Sequence, residues 1–353
     1  MQSDASIPAG SPEVSFVLSV FNGEAFLDAC LDSIWSQSFG DLEVIAIDDG
    51  STDSTPDVLA RHAARDSRLR IITNQDNIGL AQSLNIGLKH ARGPLIARID
   101  ADDQCLPQRV EKQRAAFLRN PNLVLLGCNV VMYDASNALI GYTDLPEDDA
   151  TIRAVSLLQN PFAHPAMMFR RAVLADNGLA YETSFTTTQD WDLWSRVMMH
   201  GQVANLPDVL LRQTMHSGSI TARRRDDQQT HSLKVQTEHA QRMLGETLCP
   251  TATYETINEE IFAEGRDNGV HRENAVAAGN GMLDAFDRLR ALRPALATPW
   301  FRRWVLRWCL RGSVKNLMIK GAMELLLRMV KQHAVALPSA ALGLLWARAN
   351  KRI

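Results

Sequence analysis

Cysteine pairs are the first thing this chain does without. Its five cysteines, Cys30, Cys105, Cys128, Cys249 and Cys309, are scattered, and no two stand at a metal-ligand or redox spacing. That excludes a zinc module and a disulfide framework, and the odd count suits a reducing, cytoplasmic compartment. Long apolar runs are missing as well. A membrane-spanning helix needs roughly 18–20 apolar residues, and "AVALPSAALGLLWA" (334–347) is too short and is broken by Pro338. The first residues, "MQSDASIPAGSPE", lack a charged stretch followed by an apolar one, so 1–12 reads as a flexible tail and not a secretion signal. No Gly-rich loop ending in Lys is present, and no GxGxxG follows the first apolar run. These absences argue against P-loop ATPases and nicotinamide dehydrogenases.

What is present is ordinary in amount and uneven in placement. The 353 residues are 46% hydrophobic and 22% charged, which suits a globular chain of one large domain with an appendage, or of two domains. The net charge of −3 divides into about +10 over residues 300–353 and −13 over the rest. A basic tail on an acidic body points the tail toward an anionic surface.

The first hundred residues alternate short β-branched runs with helical patterns. "VSFVLSV", "LEVIAI", "LRIIT" and "PLIARI" read as strands; the segments between them carry apolar residues at helical spacing. Such alternation predicts an α/β fold, a doubly wound and mostly parallel sheet with helices on both faces. Ligands of such sheets bind beyond the carboxyl ends of the strands. "FNG", "DDGS" and "DADD" all fall at those ends. Past Asn120 the alternation loosens. From about residue 222 the pattern turns polar and helical, so the chain divides into 13–221 and a mostly helical 222–353.

The acidic strand ends carry the chemistry. Asp48 and Asp49 close one strand; Asp100, Asp102 and Asp103 follow another. That much like charge is costly unless a cation sits among it. Mg²⁺ and Mn²⁺ take carboxylate and phosphate oxygens, and an ion so held neutralises a diphosphate leaving group. The bland alternative is a solvated Asp-rich turn before the helix that Pro107 opens.

Five stretches then resemble one family in its own order: "VSFVLSVFNGEAFLDACLDSIWSQSFGDLEVIAIDDGSTDST", "NIGLAQSLNIGL", "ARIDADD", "NPFAHPAMMFRR" and "TQDWDLWSRV". They are similar to the family-2 inverting glycosyltransferases of the GT-A fold, over roughly residues 13 to 221. The resemblance implies a nucleotide-diphospho-sugar donor, a divalent cation and a glycan or lipid-linked acceptor. It implies that Val20, Phe21, Asn22 and Glu24 line the nucleotide, that Asp49 contacts the base with Asp48 as its alternate, and that Asp100 lies near the ribose. Asp102 would hold the metal, with His216 beside it, and Asp103 would support the loop. Asp190 falls where the family places its catalytic base; by itself it also reads as a helix cap. Gln189, where the family usually has Glu, and Asp192, His164 and Arg212 would serve the acceptor or support the site. Gln189 and Thr214, the latter where the family often has Arg, depart from the pattern. They keep open a degenerate donor-binding scaffold. A nucleotidyltransferase would need a basic loop after the first strand, which "SVFNGEAF" does not supply.

The segment from about 300 to 332, "PWFRRWVLRWCLRGSVKNLMIKG" at its start, can form a basic amphipathic helix with Arg303, Arg307 and Arg311 on one face. Two readings stand. One is peripheral attachment to the anionic cytoplasmic face of a membrane. The other is a helix packed on the catalytic domain. No nucleic-acid module accompanies it, so nucleic acid is not an expected partner.

Overall fold

The structure is a computed structural model, and it describes residues 11–216, 225–262 and 271–306. In chain order the sheet-bearing part runs β1 (Val14–Val20), α1 (Leu27–Trp35), β2 (Leu42–Asp48), α2 (Thr55–Arg65), β3 (Leu69–Thr73), α3 (Leu80–His90), β4 (Leu95–Arg98), β5 (Gln104–Cys105) and α4 (Arg109–Arg119). It continues with β6 (Leu123–Asp134), β7 (Leu139–Tyr142), α5 (Asp149–Ser156), β8 (Met168–Arg170), α6 (Arg171–Asp176), α7 (Gln189–Val197) and β9 (Gln202–Met215). The sheet order is β3-β2-β1-β4-β8-β6-β9-β5, with β7 on β6. β3, β2, β1 and β4 are parallel throughout. Beyond β4 the sheet is mixed, because β8 runs antiparallel to both β4 and β6 while β6 and β9 are parallel. The α/β reading of the sequence therefore holds.

Burial explains why the strands were readable. β1, β2 and β4 are almost wholly buried, as strands covered on both faces must be. β3 lies at the edge, and after buried Leu69 it alternates half-buried with exposed positions. Leu27, Cys30, Leu31 and Ile34 supply the inward stripe of α1. Because β1, β2 and β4 are parallel, their carboxyl ends share one edge, and Val20, Asp48 and Asp100 arrive there together.

One glycine at this edge is obligatory. Gly50 has φ +74°, and a Cβ there would lie 2.6 Å from the backbone carbonyl carbon of Asp76. Both the left-handed backbone and the close approach of loop 74–79 require it.

By contacts the chain divides into two compact units, Met1–Ile152 with Asn160–Gln228, and Arg153–Gln159 with Gln229–Ile353. That the short segment 153–159 goes with the second unit was not legible in the residue pattern. That unit contains α8 (Arg225–Leu244) in most of its length, α9 (Thr251–Phe262), α10 (His271–Leu292) and helical residues 299–306. Its core gathers Val155, Leu158, Tyr254, Met282, Phe286 and Phe301. Gln236 donates to the Leu158 carbonyl at 2.7 Å and exchanges amide bonds with Asn258, so these buried polar groups are satisfied. Phe301 and Val305 are buried, and Phe301 stacks on Trp304 at 5.7 Å. The described start of the basic segment thus spends its aromatic face on the second unit's own core. Arg307, Arg311 and the rest of 307–332 lie outside the described residues. No helix among the described residues is long and apolar enough to cross a membrane.

Candidate active site at the carboxyl edge of the sheet

The loops after β1 and β2 are tied to each other. Asn22, in the left-handed region at φ 51°, takes its backbone N–H to the Ser51 hydroxyl and accepts the Thr52 N–H on its side-chain oxygen at 2.8 Å. Gly23 N–H donates to Thr55 Oγ1. Glu24 accepts the Ser54 N–H at 2.8 Å, while its own N–H donates to Asp53. Glu24 thereby satisfies one of the free donors at the start of α2, so its observed contact is structural. Ser54 makes no side-chain cap; Asp53 accepts the Thr55 N–H instead.

Asp48 and Asp49 are both buried. Asp48 accepts the Ser51 N–H. Asp49 accepts from Asn74 Nδ2 and Ile78 N–H on one oxygen and from Gly79 N–H on the other. Its carboxylate organises the 74–79 loop at the carboxyl edge of the sheet. Val20 is buried beneath, and Phe21 is 47% exposed, an aromatic face turned to the open side of this edge.

The three acids after β4 come together. Among the described residues, Asp100, Asp102 and Asp103 are the group whose ligand oxygens all lie within 4.8 Å of one another. Each is fixed differently. Asp100 is ion-paired to Arg98, a fully buried guanidinium on β4. Burial, the largest single influence, raises the Asp100 carboxyl, but the Arg98 charge, the nearby His164 and the Arg98 hydrogen bond together outweigh it and the net shift is downward. Asp102 meets His216 Nε2 at 2.8 Å, and His216 stacks on Phe26 at 4.9 Å. Burial and the Asp100 charge raise the Asp102 carboxyl against that bond. Asp103 accepts the Thr214 backbone N–H on Oδ1 at 3.0 Å. Its Oδ2 is buried with no partner among the described residues, and burial together with the neighbouring acids holds the carboxyl well above the usual carboxylate range. An orphaned buried carboxylate oxygen beside two more carboxylates is a hard-oxygen donor set, which suits Mg²⁺ or Mn²⁺. Thr214 contributes through its backbone N–H, so the Arg-to-Thr departure leaves this contact intact.

Next to the acids lies a polar and aromatic wall. His164 Nε2 pairs with the Tyr181 hydroxyl at 3.0 Å, and His164, Tyr181 and Phe169 pack around Trp194. Burial and the Arg98 charge drive His164 down to about 4, so it is neutral at physiological pH. Asp190 and Asp100 both act electrostatically on His164 and on Tyr181, so both carboxylates lie within electrostatic reach of that pair. Asp190 stands in the first turn of α7, after Thr188, whose φ of 57° is unusual for a β-branched residue. One of its oxygens, Oδ2, accepts from Asn160 Nδ2 at 2.7 Å. Asp190 is only partly buried, and its other oxygen has no hydrogen-bond partner among the described residues. The fold thus holds one half of the carboxylate and leaves the other open.

With this geometry established, likeness to known proteins decides the family. The profile described as "Glycosyl transferase family 2" matches residues 15–178. The amylovoran biosynthesis glycosyltransferase AmsE of Erwinia amylovora is 32% identical over 213 residues, covering 60% of this chain and 79% of that protein. The chain belongs to glycosyl transferase family 2. An uncharacterized glycosyltransferase of Haemophilus influenzae is 29% identical over 65% of this chain and 73% of its own. Among solved structures, S. aureus TarS 1–349 superposes with a TM-score of 0.54 at 18% identity, covering 85% of this chain and 88% of that one. The mannosyltransferase PcManGT of Pyrobaculum calidifontis, solved with GDP-Man and Mn²⁺, gives 0.53 at 20% identity over 87% of both chains. At such identities the structures establish a shared fold.

The remaining members of this glycosyltransferase's candidate set sit as follows. Asp192 is buried and pairs with Arg196 at 2.6 Å along α7. Gln189 is buried with its side-chain oxygen unpartnered. Arg212 lies over the Tyr133 ring at 4.2 Å and bonds to Asn137, which ties it to the β6–β7 hairpin. Its observed contacts are with that hairpin. Four residues of the site carried no signal of their own. Arg98 and Tyr181 read as ordinary strand and loop residues, Phe26 as one apolar helix position, and Asn160 only as part of a quoted motif.

Proposed function

We propose that this family 2 enzyme transfers a sugar, with inversion, from a nucleotide-diphospho-sugar to a hydroxyl of a cell-surface glycan or its lipid-linked precursor, with a divalent cation in attendance. The observation that carries the reading is Asp190, a carboxylate with one oxygen held and one open, which shares the His164–Tyr181 pair as electrostatic neighbour with Asp100 of the three-acid cluster. Solved relatives of the fold support the donor class: TarS has been crystallised with UDP-GlcNAc, and PcManGT with GDP-Man and Mn²⁺. The names of AmsE and of the O-antigen biosynthesis glycosyltransferase WbnJ of Escherichia coli support a surface-polysaccharide acceptor. We place the reaction in the cytoplasm, and assign the basic residues beyond 300 to an anionic membrane face.

In this reading Asp102 and Asp103 hold the cation, with His216 orienting Asp102. The cation, when bound, supplies positive charge to the diphosphate. Asp100, already paired to Arg98, faces the ribose. The open oxygen of Asp190 takes the proton from the acceptor hydroxyl as that oxygen attacks the anomeric carbon. The bond to the phosphate oxygen breaks, and its electron pair leaves with the nucleoside diphosphate. One displacement inverts the anomeric centre without a nucleophilic side chain. Neutral His164 adds no competing cation beside the base.

Stereochemistry tests the single displacement. The protein is incubated with Mn²⁺ and UDP-GlcNAc or GDP-mannose in buffer containing methanol, a small acceptor whose glycoside cannot mutarotate. NMR of the methyl glycoside from an α-linked donor should show the β anomer. An α product would overturn the inverting mechanism.

A further inference from the structure

We propose that Asn160 is the positioning residue of Asp190: its amide N–H holds Oδ2 so that the other oxygen faces the acceptor. The inference rests on the reading of Asp190 as the base and deepens it.

An aspartate in the first turn of a helix usually turns back onto free backbone N–H groups, or onto the positive end of the helix dipole. Asp190 does not. Among the described residues its hydrogen-bond partner is a side chain 30 positions earlier in the sequence, Asn160, at 2.7 Å. The helix start has no side-chain cap from Thr188, so the available donors have not drawn Asp190 in. It has been turned off its own helix.

The orientation of the Asn160 amide follows from its other contact. An Asn side chain has one accepting and one donating end, and the two are told apart by their partners. Phe162 N–H points at one end of Asn160 at 3.2 Å, and an N–H needs an acceptor. The opposite end, toward Asp190, is therefore NH₂. Pro161 disfavours a helical backbone at the preceding Asn160. A neutral donor suits this task. It fixes the carboxylate plane and competes for no proton, whereas a cation there would weaken the base and a second acid would repel it. Oδ2 is then committed, and the proton from the acceptor must arrive at Oδ1.

Asp at 160 separates this role from a merely structural one. Asn160→Asp is nearly isosteric, can still accept the Phe162 N–H and still precedes Pro161. A structural role predicts that it is benign and that Asn160→Ala is worse. The positioning role predicts the reverse order. In Asn160→Asp two carboxylates face each other at hydrogen-bond distance and must share a proton, which takes the base out of service. Release of nucleoside diphosphate is measured with whichever of UDP-GlcNAc and GDP-mannose stabilises the protein, in methanol-containing buffer. Asn160→Ala should lower kcat by about 10- to 100-fold through lost orientation. Asn160→Asp should lower it by at least about 100-fold, the lower bound of what a general base contributes. Donor KM should stay within about twofold in both, since the base touches the acceptor alone. Melting temperatures identify a variant that has failed to fold; Asn160→Val, which likewise cannot donate and suits a position before proline, then serves in place of Asn160→Ala. Near-normal turnover in Asn160→Asp, with Asp190→Asn inactive, overturns the positioning role alone. Normal turnover in Asp190→Asn overturns the base assignment itself.

Discussion

Asp190→Asn is expected to lose transfer by about 100- to 10,000-fold, the range a general base contributes, while still binding donor. The substitution changes one atom's charge and little volume. Asn has a side-chain oxygen and can still face Asn160, so the bond to its amide survives in one rotamer. What disappears is an oxygen able to take a proton at the position open to solvent. The loss should therefore appear in kcat and leave donor KM and melting temperature nearly unchanged. Loss of donor binding along with turnover would mean that Asp190 serves the donor and not the acceptor.

Asp102→Asn has the second large effect, and it differs in kind. Changes to residues that merely support a metal ligand typically cost roughly 10–100-fold in metal affinity. Removal of a ligand carboxylate should exceed that. Stabilisation of the protein by Mn²⁺ plus donor should vanish, and transfer with it. The apo protein should not suffer. Asp102 shares a space of 4.8 Å with Asp100 and Asp103, and burial and the Asp100 charge already oppose its ionisation. Asn relieves that repulsion and can still accept from His216. An unchanged or higher melting temperature without metal, joined to the loss of the Mn²⁺ effect, is the expected pair of results. A large fall in apo stability would show instead that the acidic cluster is a structural turn and that Asp102 serves its fold.

The strands were legible because hydrophobic runs report burial directly, and β1, β2 and β4 are buried on both faces. Legible too was the edge at which function gathers, since parallel strands deliver their ends together. The acids after β4 could be picked out by charge density alone, and the structure brings all three within reach of one ion. Asp102 also meets His216, 114 positions away in the chain. Partnerships were not legible. Glu24 is one polar residue among many until α2 is seen to need an acceptor at Ser54 N–H. Asp49 has the composition of a ligand contact, yet both its oxygens are engaged by Asn74 and by backbone N–H groups of loop 74–79, some 25 to 30 residues away. Arg212 has the right charge for a diphosphate, but the direction of its side chain depends on a hairpin that supplies Tyr133 and Asn137. Conversely, Arg98 sits in an apolar strand where a charge looks misplaced. Its role emerges only when Asp100 is seen at its tip. Sequence patterns report faces and ends; hydrogen-bond direction needs the fold.

The central claim is that the acidic strand end is a cation-assisted nucleotide-sugar site. Thermal shift measures it most directly. The protein is melted with UDP-, GDP- and dTDP-sugars, each with Mn²⁺ and with EDTA. A ligand that binds the folded state alone raises the melting temperature by mass action, by about 2.7 kcal/mol of stability at one hundred times its Kd. The account predicts a rise for one nucleotide class, present with Mn²⁺ and abolished by EDTA. A cooperative melt that no donor moves, with or without metal, would contradict it.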